Sequence, residues 1–260
     1  MQKSLKVVFS VVLIAMCLVV AAQPAAAQRG ESNVLRVYYS EAKDGNAAAF
    51  EQGRIRHMEI HKKLSDPWTW YTWQVETGED TGAYYTVTFG HKWADFDMWE
   101  SKFAQADGAD AEKNLAPYTG ESSNWFAMSL DGVSAPAATP FEPTPMTELI
   151  HFTVRMGMNQ EFMNAIRKIH EAIQKSKWAE NYTWYAHLNG RNANEYVLAI
   201  GLKNWAEMEE PEMSFPAMLE KAFGRTEADA IMKSLDSCIA RQRSEMLRYR
   251  KDLSYIPAAK

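Results

Sequence analysis

Cysteine is nearly absent from these 260 residues: there are two, Cys17 and Cys238. Cys17 lies in an apolar N-terminal run, so a processed chain keeps Cys238 alone and has no internal disulfide; stability has to come from core burial. Basic charge is in deficit as well, with 28 Lys and Arg against 33 Asp and Glu, a net charge of −5. Such a surface argues against nucleic acid or anionic lipid as the main partner. Glycine-rich phosphate loops and serine or cysteine nucleophile motifs are missing, which leaves nucleotide and hydrolase chemistry unsupported. After Ala22 no second long hydrophobic run follows, so no integral membrane segment is expected once the leader is removed.

That leader, residues 1–27, has a basic start (Lys3, Lys6), an apolar run from Val7 to Ala22 and a small-residue end at Ala25-Ala26-Ala27. It reads as a bacterial-type signal peptide, and the protein as exported, periplasmic or secreted. Nine tryptophans follow, which hint at an aromatic-lined cavity in addition to bulk packing.

Strand signals are clear at Val34 to Tyr39, Trp68 to Glu76, Tyr84 to Phe89 and Asn124 to Leu130. Helical spacing covers Phe50 to Leu64 and Trp93 to Gln105, and the polar Ala106 to Glu121 stretch has no apolar period. Four prolines between Ser134 and Pro145 mark a linker, assigned to 133–146. The pattern then restarts, with strands at Leu149 to Val154, Tyr182 to Leu188 and Tyr196 to Ile200 and a helix over Asn159 to Lys177. A long helix capped by Thr226 runs to about Arg243, and Leu247 to Ile256 closes as a strand.

The two halves share more than order. Gly45, Phe50, Gly78, Tyr84 and Trp93 match Gly157, Phe162, Gly190, Tyr196 and Trp205 at one constant offset, and Thr69-Trp70-Tyr71 recurs as Thr183-Trp184-Tyr185. This is an internal duplication, with repeats at 34–132 and 147–257. The expected fold class is therefore α+β: two ferredoxin-like β-α-β-β-α-β repeats packed as a pseudo-symmetric α/β barrel. A tandem pair of that layout resembles the dimeric α/β-barrel superfamily. The resemblance covers roughly Val34 to Ile256 and implies two sheets packed face to face with helices outside. That superfamily includes monooxygenases of small phenolic molecules, haem-handling enzymes and ligand-binding modules, with the cavity usually between sheet and helices. Its family-specific catalytic signatures are not legible here, so no site residue is carried over.

The functional clue is where the copies differ. Arg54, His57 and His61 stand where the second copy has Ile166, Ile169 and Ile173, and Arg36, Tyr38 and Ser40 stand where it has Ile150, Phe152 and Val154. Burying such groups without partners costs roughly 1–3 kcal/mol each, and more for a charge. The expectation is a small-molecule pocket in the first repeat, binding a partly aromatic ligand through Arg54, His57, His61, Arg36, Tyr38 and Trp70. An oxygenase-like or haem-dependent enzyme using His57 or His61 is the alternative, and a partner-binding module whose histidines complete a core is the third reading. The cofactor stays open between haem and a divalent metal, with neither favoured. The His57/His61 pair has chelating spacing, but Glu59 points to the opposite helix face and His91 is a weak third ligand, so no metal site is assigned. Pairing with a second copy of the chain also stays open. His170 reads as a boundary residue, His187 as facing the barrel centre, and the Arg241, Arg243, Arg248, Arg250, Lys251 run as a solvated face.

Overall fold

The computed structural model describes residues 33–135, 142–179 and 181–258. The segment 1–27 expected to be a signal peptide and the centre of the expected linker lie outside the described residues.

Eight strands carry the fold: β1 (Val34–Ala42), β2 (Tyr71–Val75), β3 (Tyr84–His91), β4 (Thr119–Ser129), β5 (Met146–Val154), β6 (Tyr182–Asn189), β7 (Glu195–Leu202) and β8 (Ile239–Tyr249). They form one closed barrel in the order β1-β3-β2-β8-β5-β7-β6-β4. Every neighbouring pair is antiparallel. This corrects the expected fold class. The chain is not two ferredoxin-like repeats packed sheet on sheet, because β2 and β4 do not end as edges. β2 pairs with β8 through Trp73↔Tyr249 and Val75↔Leu247, and β4 pairs with β6 through Met128↔Ala186. An unpaired row of backbone N–H and C=O groups is a liability that closure removes.

Six α-helices lie outside the barrel: α1 (Ala47–Lys63), α2 (Trp93–Trp99), α3 (Gln105–Asn114), α4 (Asn159–Ser176), α5 (Phe215–Phe223) and α6 (Arg225–Cys238). A π-helical turn, Glu100–Ala104, joins α2 to α3. Strand alternation sends Leu35, Val37 and Tyr39 into the barrel and leaves Arg36 and Tyr38 on the helix side. On the second half's flank, Phe162, Ile166, Ile169 and Ile173 of α4 are buried against Trp184 and Met218 as an aliphatic and aromatic core. The stripe read from spacing is this core.

Three boundaries differ from the sequence reading. The polar stretch after Gln105 is helical as far as Asn114. The last helix ends at Cys238, not near Arg243, and the closing strand starts at Ile239 and ends at Tyr249. Thr226 lies inside α6, whose N-cap is Gly224 at φ +80°. No helix among the described residues is long and apolar enough to cross a membrane.

Candidate metal centre

On α1, the face presented to the sheet buries Phe50, Gly53, His57, Met58 and His61. Gly53 sets how closely its neighbour approaches. A Cβ there would sit 2.1 Å from the Asn114 carbonyl oxygen, so only glycine lets the end of α3 lie against α1. That contact brings Asp107 and Asp110, one turn apart on α3, against the two histidines.

Each imidazole is tied to a carboxylate at Nδ1. His57 Nδ1 donates to Asp110 Oδ2 at 2.9 Å, and His61 Nδ1 donates to Asp66 Oδ2 at 2.8 Å. Both Nε2 atoms then face a single oxygen, Asp107 Oδ1, at 3.3 Å each. The three atoms lie within 4.8 Å of one another, close enough to share one ion.

Asp66 is 1 % exposed and anchors this arrangement. Its Oδ1 accepts from the Trp68 backbone N–H, and its Oδ2 accepts from Trp70 Nε1 at 2.9 Å and Trp99 Nε1 at 3.2 Å as well as from His61. Burial works to raise its carboxyl, but these hydrogen bonds outweigh it and hold the group below the usual carboxylate range. At Asp110, burial is likewise outweighed by hydrogen bonds from His57 and Asn114. Ionised carboxylates only accept, so both imidazoles must carry hydrogen on Nδ1; in the neutral ring this leaves Nε2 as a lone pair. Two lone pairs and a carboxylate oxygen then converge with no hydrogen among them. Asp107 Oδ1 is buried and has no hydrogen-bond partner among the described residues. A cation at their centre satisfies all three. The carboxylates behind each ring are the second shell that histidine ligands of metals ordinarily have.

Of the residues read from sequence, the structure brings His57, His61 and Trp70 together. His61 stacks against Tyr255, with ring centroids 5.5 Å apart, and lies as close to Trp70. Tyr38 borders the cluster through an edge contact with Trp70, and its hydroxyl is pushed up to about 12, chiefly by burial. Arg54 turns aside, donating to the Leu253 carbonyl and Thr72 Oγ1 at 3.3 Å each, and burial lowers it to about 10. Arg36 sits over the Tyr38 and Phe126 rings and reaches Asn124 Oδ1. His91 is not a third ligand: it bonds Thr88 Oγ1 at 2.6 Å and packs on Trp68. His170 bonds the Tyr182 hydroxyl, and His187 lines the barrel interior with Glu195 as partner.

Asp66, Asp107 and Asp110 were not found from sequence. The available signal was the Asp107/Asp110 spacing, one helical turn on a segment without apolar periodicity. The expected pocket also differs in character, since aromatic rings pack the space around His61. Two cavities lie on the opposite side of the sheet, inside the barrel and at its mouth.

No family model matches the chain, and no curated protein does. Solved structures do. A candidate monooxygenase from Fusobacterium nucleatum subsp. nucleatum superposes with a TM-score of 0.55 at 15% identity, covering 85% of this chain and 93% of that one. A second candidate monooxygenase, from Lactobacillus acidophilus, gives 0.54 at 10% identity over 88% and 99%. An anthrone oxidase-like protein gives 0.52 at 10% identity over 89% and 98%. At such identities the likeness concerns fold alone.

Proposed function

We propose that this chain is a metal-dependent enzyme of the oxygenase kind, with a divalent transition-metal ion held by His57 Nε2, His61 Nε2 and Asp107 Oδ1. The observation that carries it is the buried Asp107 oxygen facing two imidazole nitrogens whose other nitrogens are tied to carboxylates. Two histidines and one carboxylate with open positions are the donor set of non-haem iron oxygenases, and such an ion activates oxygen or polarises a bound substrate. The fold shared with candidate monooxygenases supports the same reading.

The chain's own contribution is positional. Asp66 and Asp110 fix the tautomer and plane of each ring, and the indole N–H groups of Trp70 and Trp99 fix Asp66. Tyr38 stays protonated at neutral pH, and the charge of Asp107 acts on both Tyr38 and Arg54. Haem does not fit these residues. Both Nε2 atoms converge on Asp107 Oδ1, and Trp70 and Tyr255 flank His61 where a macrocycle would need an apolar slot. The leader motif supports a centre that works outside the cytoplasm.

Elemental analysis after anaerobic loading with Fe(II), Mn(II), Co(II) or Zn(II) tests this. The expected result is one ion per chain, lost in Asp107→Asn and in His57→Ala. If no metal is retained, and His57→Ile with His61→Ile raises the melting temperature, the histidines only complete a core.

A further inference from the structure

The barrel interior is not filled. Leu35, Val87, Leu149 and Leu247 point inward with Trp73 and Tyr185, and a cavity of about 120 Å³ remains between them. Apolar cavities of a similar size, ~150 Å³, accept a single benzene ring. A second cavity of about 320 Å³ opens at the barrel's mouth. Tyr85, Trp125, His151 and His187 line both, so the two spaces adjoin there.

The mouth is rich in carboxylates. Two of its groups are balanced by arginines, Glu79 by Arg241 and Asp80 by Arg243, and Glu195 is hydrogen-bonded to His187 and Asn192. Glu245, buried beneath, is shared by His151, Arg243 and the Tyr85 hydroxyl. Among the described residues Glu41 and Glu121 have no cationic partner; Glu41 accepts only from the Tyr39 hydroxyl. The aromatic wall already holds one cation, since the Arg191 guanidinium lies 4.4 Å over the Trp125 ring. Deeper in the lumen, Trp73 is 5 % exposed and its indole N–H has no acceptor among the described residues.

We propose that lumen and mouth together bind a small aromatic amine, with its ring in the apolar lumen and its ammonium at the mouth near Glu41 and Glu121. The rings supply dispersion and quadrupole attraction, and the two carboxylates supply the charge. An acceptor atom on the ligand's ring would satisfy the Trp73 N–H. This site lies across the sheet from His57 and His61 and does not depend on a metal there.

Calorimetric titration of the full chain with 2-phenylethylamine tests it, with 3-phenylpropionate and ethylamine as comparisons. Expected are one site per chain for 2-phenylethylamine and binding at least tenfold weaker for both comparisons. Glu41→Gln with Glu121→Gln should weaken the amine about tenfold or more. Ala127→Phe, which fills the lumen, should abolish binding in a protein whose circular dichroism is unchanged; if that variant misfolds, the Glu41/Glu121 double variant decides. The proposal is overturned if 2-phenylethylamine does not bind, if the carboxylate or ethylamine binds as well, or if the double variant leaves the affinity unchanged.

Discussion

His61 Nδ1 and Asp66 Oδ2 lie 2.8 Å apart with both side chains buried, and the same oxygen accepts from two tryptophan indoles. Asp66 is therefore a fixed anion that decides which nitrogen of His61 is free. Asp66→Asn removes the charge but keeps an oxygen for the indoles. A competition titration should show metal affinity falling about 10–100-fold, the usual loss for an outer-shell partner of a histidine ligand. Unchanged affinity would mean that His61 is not a ligand.

Metal removal should destabilise the protein. At a free ion concentration a hundredfold above Kd, binding contributes about 2.7 kcal/mol. For a chain of this size each kcal/mol shifts the melting temperature by roughly 2–4 °C. Chelation of the loaded protein should lower Tm by roughly 5–10 °C, read by scanning calorimetry, and Asp107→Asn should show no such shift.

Gly53→Ala tests how the two helices are held. Its Cβ would meet the Asn114 carbonyl at 2.1 Å, a backbone atom that cannot move without α3. Overpacking of this kind costs about 1–3 kcal/mol. Urea denaturation should show that loss, and metal titration should show weaker binding although no ligand is altered. A variant that loses stability but keeps full affinity would separate helix spacing from the site.

Acid stability should carry the signature of His91. Burial against Trp68 lowers this imidazole from 6.5 to about 4. Between those values the unfolded chain holds the proton and the folded chain does not. Stability is thus fully present above pH 6.5 and falls as pH drops toward 4, by something of order 3 kcal/mol. His91→Gln keeps an acceptor for Thr88 and should flatten that part of the profile in urea midpoints measured from pH 7 to 4. An unchanged slope would assign the acid loss to carboxylates such as Asp66 and Glu245.

Much of the scaffold could be read from the residues alone. Alternation at Val34 to Tyr39 and the Phe162/Ile166/Ile169/Ile173 spacing reflect burial on one face, which leaves a periodic trace. So does the His57/His61 stripe, because those imidazoles occupy core positions. Asp107 and Asp110 left no such trace. None of the residues of α3 is buried, and its composition of Ala, Asp and Gly reads as loop. Asp66 looked like a helix stop before Pro67, and nothing local shows that two indoles from Trp70 and Trp99 converge on it. Barrel closure was hidden for a related reason: Val75 pairs with Leu247 far along the chain, and spacing within a segment carries no information about partners at that distance. Arg243 of β8 and Arg250 just after it likewise read as a solvated face, whereas they pair with Asp80 and Glu51.

A ring of eight strands, each flanked on both sides, has consequences beyond its own stability. Where the rungs are paired a second polypeptide has no backbone to extend, and the stretches left with one neighbour are residues 119–125 of β4 on the β6 side and 239–245 of β8 on the β2 side.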